Sequence, residues 1–342
     1  MRAGVRILLV TLFILFGFLR SASAAAATDY GMHVLRPEEI ETIAAQTTEL
    51  RQESSAPLYV TLPFSLDDTK DLDRWRTAFR VAKENNIVPL VRLVTRFDTE
   101  ANAWAVPSQY EIVQLTSALN QLEWPQTERH VILFNEPNHA AEWGGTTDPE
   151  SYASISYFAA QWLNTESENY VVLPAAADLA APNGPVTMEA FTFWKRALAA
   201  EPDLLYQLDA WNSHSYPNPG FVAAPTRTGQ NSLRGFEHEL AFLDQYQIKE
   251  WKVYITETGW RQTPTNARSM AYYYEYAHEN IWNHSQVVAV TPFLWQGAPG
   301  PFAEFSLQNE AQSLTYQGEA LFDLIAQSAA VLLTDSAAAS GR

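Results

Sequence analysis

Short apolar runs, separated by longer amphipathic stretches, recur from residue 30 almost to the end of the chain. The eight runs occupy residues 30–35, 57–64, 87–95, 131–138, 170–179, 208–217, 251–260 and 287–297. Strands that alternate with helices pair in parallel through right-handed crossovers, and eight such units close into a barrel. The pattern therefore predicts an α/β chain that folds as a single (β/α)8 TIM barrel.

The main alternative is an open, doubly wound sheet, which normally carries a glycine-rich turn after its first strand. Here the first predicted strand is followed by the sequence RPEEI, which contains no glycine. The long segments that leave predicted strands are rich in Pro, Gly and aromatic residues and lie at residues 96–107, 215–231 and 296–312. One rim of the predicted barrel therefore carries long loops, as expected for the C-terminal face, where barrel active sites lie.

The N-terminal sequence is typical of a secretory signal. Arg2 and Arg6 precede an apolar run at residues 7–19, and the small residues Ala22 and Ala24 fit a signal-peptidase site. We expect cleavage after Ala24 and a secreted or bacterial-envelope location. An uncleaved segment would instead anchor the protein in a membrane, although this run is shorter than the ~20 residues of a spanning helix. The expected organisation is a signal peptide at 1–24, a barrel domain at 25–330 and a flexible tail at 331–342.

The composition excludes several classes of function. The chain has 22 Lys and Arg against 39 Asp and Glu, a formal net charge of -17, and its basic residues do not cluster in a run. Such a surface repels phosphate backbones, so we expect no nucleic-acid partner. The sequence has no cysteine, which excludes disulfides, cysteine–zinc sites and thiol nucleophiles. It also lacks a His-x-His pair and a His-Glu-x-x-His helix, which counts against a metal-dependent barrel hydrolase.

Two of the predicted strands end in a glutamate. Glu136 follows the apolar residues of the fourth strand in VILFNEPN, and Glu257 follows those of the seventh strand in VYITETGW. Either residue alone has an ordinary interpretation as a solvated or salt-bridged side chain at the rim. Together, on strand ends that lie across the barrel mouth, they can face each other over a bound molecule. This arrangement suits glycosidic-bond cleavage, where one carboxyl group protonates the leaving oxygen and the other attacks the sugar or activates water.

The chain resembles clan A of the glycoside hydrolases, the retaining (β/α)8 enzymes that include the family 5 cellulase-like group. The matching motifs are Asn135-Glu136-Pro137 on the fourth strand, His214-Ser215-Tyr216-Pro217 on the sixth, Glu257-Thr258-Gly259-Trp260 on the seventh and Trp295 on the eighth. The resemblance covers essentially the whole chain after the signal segment. It implies that Glu136 is the acid/base and that Glu257 is the nucleophile.

Further site residues are expected around this pair. Arg92 and Tyr216 are candidates to donate hydrogen bonds to Glu257 and so to lower the pKa of its carboxyl group. The resemblance implies that Asn135 binds the sugar 2-hydroxyl. Trp295 is expected to form the floor beneath a sugar ring, because a wide aromatic surface stacks against the apolar face of the sugar. The resemblance also implies a non-proline cis peptide bond after Trp295.

Other aromatic residues and the histidines complete the expected site. We expect Trp143 to supply an aromatic wall beside the acid and Trp260 to contact the substrate. His214, within the sequence SHSYP, is expected at the site, with a packing role as its ordinary alternative. For His33 and His139, the sequence leaves site and packing roles equally open.

The sequence therefore predicts a retaining O-glycoside hydrolase that cleaves a β-linked glycan or glycoside by double displacement, with no cofactor and no metal. Two alternatives remain in view. A barrel that binds sugars without cleaving them is disfavoured because both glutamates and Tyr216 are present. A metal-dependent barrel hydrolase is disfavoured by the missing ligand pairs. The sequence leaves the sugar, the linkage and the oligomeric state undetermined.

Overall fold

The computed structural model describes residues 28–51 and 56–340. In this part of the chain the strands are β1 (Asp29–His33), β2 (Leu58–Ser65), β3 (Ile87–Val94), β4 (Phe97–Asp98), β5 (Ala103–Trp104), β6 (Arg129–Leu133), β7 (Tyr170–Pro174), β8 (Trp211–His214), β9 (Val253–Glu257) and β10 (Val287–Val290). The α-helices are α1 (Glu39–Thr47), α2 (Asp73–Glu84), α3 (Gln109–Leu119), α4 (Pro149–Glu166), α5 (Ala190–Ala200), α6 (Gly235–Leu243), α7 (Met270–Ala277) and α8 (Tyr316–Ser340).

Eight of these strands form one parallel sheet in the order β7-β6-β3-β2-β1-β10-β9-β8. The outer strands β7 and β8 meet through a parallel bridge between Asp178 and His214. Below it, the backbone N–H of Asp209 donates to the carbonyl of Val172 at 2.9 Å. The sheet is thus a nearly closed barrel with a helix after each strand, which confirms the predicted (β/α)8 fold. The remaining strands, β4 and β5, form an antiparallel hairpin inside the predicted loop at 96–107.

Burial on both faces explains why most of the barrel strands are rich in apolar residues. Every residue of β3 except Val94 is buried, because its inner face fills the barrel and its outer face meets the helices. β1 and β2 approach so closely that a β-carbon at Gly31 would lie 1.6 Å from the carbonyl oxygen of Tyr59. Glycine is therefore required at this position.

The structure bears on only one of the two predicted domain boundaries. Helix α8 continues to Ser340, so the expected boundary between domain and tail at residue 330 lies within this helix. The predicted signal peptide, residues 1–24, lies outside the described residues, and its cleavage stays a prediction. None of the helices in the described part of the chain combines the length and apolar character needed to span a bilayer.

A buried carboxyl group on the outside of the barrel makes stability depend on pH. Glu239, on α6, is 0% exposed, and within the described residues neither of its side-chain oxygens has a hydrogen-bond partner of good geometry. Burial raises the pKa of Glu239 from 4.5 to about 7, and the nearby Ser213 and Trp211 side chains offset this only in part. The folded protein therefore keeps a proton that the unfolded chain loses above pH 4.5. Its contribution to stability is lost as the pH rises from about 4.5 to about 7.

We expect the substitution Glu239→Gln to remove this loss of stability with rising pH. Between pH 5 and pH 8 the free energy of unfolding of the variant, relative to that of the native protein, should rise by up to about 3 kcal/mol. Urea unfolding at the two pH values measures this difference. The matched control is Glu275→Gln on α7, because Glu275 is exposed and should leave the pH dependence unchanged. The same pH dependence in the native protein and in Glu239→Gln would contradict the prediction.

Candidate active site

The two glutamates selected from the sequence lie at the C-terminal mouth of the barrel. Glu257 is the last residue of β9, and Glu136 follows the end of β6. One carboxylate oxygen of each and Nδ1 of His214 all lie within 4.8 Å of one another. The nearest carboxylate oxygens of the two glutamates therefore lie no more than 4.8 Å apart, which is compatible with the ~5–5.5 Å spacing of retaining glycosidases and below the ~6.5–9.5 Å spacing of inverting ones. The structure therefore brings together the pair that the sequence analysis selected.

Glu257 is surrounded by groups that stabilise its charged form. Nη1 of Arg92 donates to Oε1 at 2.5 Å, and the hydroxyl of Tyr216 donates to Oε2 at 3.0 Å. Nε2 of His33 lies 3.5 Å from Oε1. Burial alone would raise the pKa of Glu257, but His214 and Arg92 together outweigh burial and lower it. Glu257 is therefore ionised at neutral pH, the form that a nucleophile needs.

Glu136 has a different partner. Its Oε1 forms a 2.8 Å hydrogen bond with Nδ1 of His214, which also lies 3.8 Å from Oε2 of Glu257. Burial lowers the pKa of His214, but the two carboxylates together raise it above its ordinary value. His214 thus links the two glutamates, and the structure places it at the site rather than in a packing role.

The backbone after β6 explains how successive residues reach different partners. Phe134 and Glu136 have φ values of 75° and 24°, in the left-handed region that residues with side chains seldom adopt. Between them, Asn135 accepts a 2.7 Å hydrogen bond from Nη1 of Arg92. Asn135 therefore joins the neighbours of Glu257, while Glu136 contacts His214. Backbone conformations of this kind are concentrated at functional sites, where the surrounding structure holds them in place.

The other two histidines occupy different environments. His33 is fully buried inside the barrel, and burial is the main reason that its pKa falls to about 3, so it is neutral at pH 7. Nε2 of His139 lies 2.9 Å from Oδ2 of Asp178, and this hydrogen bond is the main cause of its raised pKa. The negative charge of Glu136 raises the pKa of His139 further, so His139 also lies near Glu136.

Two of the expected aromatic contacts are wrong. Trp295 is 1% exposed, and its ring stacks on Phe322 of α8 at a centroid distance of 6.1 Å, beneath the helix rather than in the mouth. Trp260 is 0% exposed and packs against Tyr274 at a centroid distance of 5.4 Å. Its indole N–H donates to the carbonyl of Ala223. Both rings therefore stabilise the shell around the barrel and are unavailable to a sugar.

Phe293, which the sequence analysis missed, packs against two neighbours of Glu257. Its ring lies 5.1 Å from that of His33, and it packs with Tyr216 in one apolar cluster. The non-proline cis peptide bond joins Phe293 to Leu294 and does not follow Trp295, which corrects the expected position. The predicted eighth strand extends beyond the observed end of β10. The sequence analysis therefore expected the wider ring of Trp295 at the site instead of the ring of Phe293.

A cavity of about 270 Å³ opens beside Arg92 and Asn135. The rest of its wall is largely apolar and consists of Leu35, Pro63, Leu93, Val94, Thr95, Trp104, Phe134, Glu142 and Trp143. Trp143 lines this cavity but is only 1% exposed, and its role as an aromatic wall beside Glu136 stays a prediction. Glu142 is a third carboxyl group at the mouth that the sequence analysis missed, and burial raises its pKa.

The cluster of Glu136, His214 and Glu257 also has the composition of a cation site. Glu136, His214 and Glu257 offer three donor atoms close enough to bind one metal ion. However, the guanidinium of Arg92 already lies 2.5 Å from Oε1 of Glu257, and its positive charge opposes a second cation there. The group therefore fits a hydrogen-bonded carboxylate pair better than a metal centre.

Sequence comparison finds no matching protein-family model and no matching curated protein. Solved structures are similar in fold. An endo-β-1,4-glucanase from Xanthomonas axonopodis pv. citri has a TM-score of 0.55 and 14% identity, over 89% of this chain and 99% of that one. A glucosidase from Croceicoccus marinus has a TM-score of 0.57 and 12% identity, over 89% and 68% of the two chains. A family 51 α-L-arabinofuranosidase from Bifidobacterium longum has a TM-score of 0.54 and 13% identity, over 89% and 72%. The resemblance to clan A glycoside hydrolases is thus confirmed at the level of the barrel fold.

Proposed function

We propose that the protein is a retaining glycoside hydrolase that acts on a β-linked carbohydrate. The observation that carries this proposal is the approach of Glu136 and Glu257 to within 4.8 Å, a spacing that suits double displacement. The two glutamates have different polar neighbours, as expected if one is the nucleophile and the other is the acid/base. Arg92 and Tyr216 donate hydrogen bonds to Glu257, whereas Glu136 contacts only His214 among these groups.

The reaction has two balanced steps. In the first, a carboxylate oxygen of Glu257 bonds to the anomeric carbon while the glycosidic C–O bond breaks and Glu136 transfers its proton to the leaving oxygen. In the second, Glu136 removes a proton from water, and the water oxygen displaces Glu257 from the anomeric carbon. Two inversions restore the original configuration and return both glutamates to their starting forms.

The similar structures support a choice of first substrates. One is an endo-β-1,4-glucanase, and another structure of this fold holds cellopentaose. β-Linked glucans are therefore the first class to test on this protein. The predicted secretory signal at 1–24 would place this activity outside the cytoplasm, where such polymers are found. A sugar-binding barrel without activity accounts less well for the ionised Glu257 and its hydrogen-bonded partners.

A panel of 4-nitrophenyl β-glycosides and soluble β-glucans tests the proposal. We expect hydrolysis, and proton NMR of the reaction should show the β-anomer as the first product. A first-formed α-anomer would contradict the retaining mechanism. Activity that disappears with a chelator and returns with a divalent cation would favour the metal-dependent alternative. Binding of these sugars without hydrolysis of any of them would favour the non-catalytic barrel.

A further inference from the structure

A second pair of a histidine and a carboxylate lies beside Glu136, in addition to the bond between Glu136 and His214. Nε2 of His139 lies 2.9 Å from Oδ2 of Asp178, in the loop that follows β7. His139 comes three residues after Glu136, and its backbone N–H donates to the carbonyl of Glu136 at 2.9 Å. The turn that carries Glu136 therefore also carries this imidazole.

The surrounding loops fix the position of Asp178. The side chain of Asn138, which is 0% exposed, bonds both of its backbone groups: Oδ1 accepts from the N–H at 3.0 Å, and Nδ2 donates to the carbonyl at 2.9 Å. The second carboxylate oxygen of Asp178 accepts from the N–H of Ala180 at 2.8 Å. On the other side, His139 forms an antiparallel bridge with Thr187. A carboxylate held in this way orients the imidazole and stabilises its charged form.

The imidazole of His139 is surrounded by negative charge. The bond to Asp178 is the main cause of its raised pKa, burial offsets part of the effect, and the charges of Glu136, Asp178 and Glu142 raise the pKa further. Glu136 and Glu142 belong to the same loop as His139, and Asp178 belongs to the loop after β7. From β8, His214 bonds the carboxyl group of Glu136 at 2.8 Å. Glu136 therefore has a charged histidine on its own loop as well as the one on β8.

The exposure of the pair argues against a role in packing alone. The side chains of His139 and Asp178 are 31% and 28% exposed, close to the 23% of Glu136. The packing histidine His130, inside the barrel, is only 2% exposed. The pair therefore lies at the mouth together with Glu136, where its charge can act on the reaction.

We propose that His139, oriented by Asp178, is a positioning residue that holds a positive charge beside Glu136 and stabilises its ionised form. This inference rests on the proposed function, in which Glu136 must be ionised to remove a proton from water in the second step. The first step leaves Glu136 as a carboxylate, because its proton has gone to the leaving oxygen. A fixed cation keeps it in that form at acidic pH, where it would otherwise take a proton from solvent and no base would remain.

A dinitrophenyl β-glycoside tests this proposal, because its leaving group needs no proton and the second step limits kcat. In His139→Gln the acid limb of kcat should move to higher pH, since loss of a nearby cation favours the protonated form of Glu136. Below that limb kcat should fall by about three- to tenfold, the effect of one charge at a partly exposed site. On this substrate kcat/KM reports the first step and should change by less than about twofold, so KM should fall together with kcat. Damage to the fold would instead lower kcat/KM as well.

Two further variants separate the charge of His139 from its shape. His139→Lys keeps a cation that can pair with Asp178, and it should restore most of the native pH profile. His238→Gln removes an exposed histidine on α6 and should leave the profile unchanged. An acid limb in His139→Gln at the same pH as in the native protein would overturn the inference. So would a His139→Lys variant that is as impaired as His139→Gln.

The coupling between His139 and Glu136 can also be measured without turnover. NMR of the imidazole signals, assigned with His139→Gln, follows the titration of His139. Coupling between two titrating groups is reciprocal, so the pKa of His139 should be lower in Glu136→Gln than in the native protein. Asp178→Asn should lower the pKa of His139 as well, because it removes the main cause of the raised value.

The NMR result separates this inference from the proposed function. An unchanged pKa of His139 in Glu136→Gln would overturn the inference and leave the proposed glycosidase activity standing. A lowered pKa of His139, in a protein that hydrolyses no glycoside, would support the electrostatic pairing of the two residues and overturn the proposed function.

Discussion

Glu257→Ala is expected to lower kcat by about four to six orders of magnitude, the range seen when a covalent nucleophile is removed. The substitution deletes the group that attacks the anomeric carbon and leaves Glu136 in place to protonate the leaving oxygen. It also leaves Arg92 buried without its carboxylate partner, which destabilises the fold. Thermal unfolding should accompany the steady-state measurement, so that loss of chemistry is separated from loss of structure.

Rescue by a small anion identifies the role of Glu257. Azide fits the space that the missing carboxylate leaves, and it should restore part of the activity on an activated nitrophenyl substrate. The product should be the α-glycosyl azide, because a single displacement inverts a β-linked sugar. The control is Glu250→Ala, at an exposed glutamate near the start of β9, which should keep full activity without azide. Native activity in Glu257→Ala would show that another residue is the nucleophile.

Glu136→Ala should have an effect that depends on the leaving group. On unactivated oligosaccharides, whose leaving oxygen must be protonated, kcat/KM should fall by about two to four orders of magnitude. On a dinitrophenyl glycoside the leaving group needs no proton, so the first step should keep much of its rate. The second step then becomes slow because no base activates water, and the covalent intermediate should accumulate.

Azide distinguishes this variant from the previous one. It should speed turnover of the intermediate in Glu136→Ala and give the β-glycosyl azide, since the anion attacks after one inversion has occurred. The α-product in this variant would mean that the roles of Glu136 and Glu257 are exchanged. Equal losses on activated and unactivated substrates would exclude Glu136 as the acid, and the half-buried carboxyl group of Glu142 would then be the next candidate.

The positions of the barrel strands were predictable from the sequence because strands that are buried on both faces are rich in apolar residues. Each of the eight predicted runs overlaps a barrel strand, since a strand between core and helices consists mainly of apolar residues. Glu136 and Glu257 were identifiable for the same reason. A charged residue directly after such a run must lie where the strand emerges at the mouth.

Several features of the site depend on contacts between distant parts of the chain. Trp295 and Phe293 are two residues apart, and only the packing of α8 against Trp295 shows that Phe293 is the ring beside the site. Trp260, in the sequence TETGW, is likewise buried by contacts with α7. The local sequence shows that a residue is aromatic. The orientation of its ring, however, depends on neighbouring residues from other helices and strands.

The sequence by itself determined the strand–helix alternation, the acidic surface and the order of the two glutamates, because these follow from local pattern and composition. Tertiary structure alone decided the approach of the carboxylates to within 4.8 Å and the link between them through His214. Closure of the barrel sets these distances, because it brings together residues as far apart in the chain as Glu136 and Glu257, and a local pattern carries no information about them.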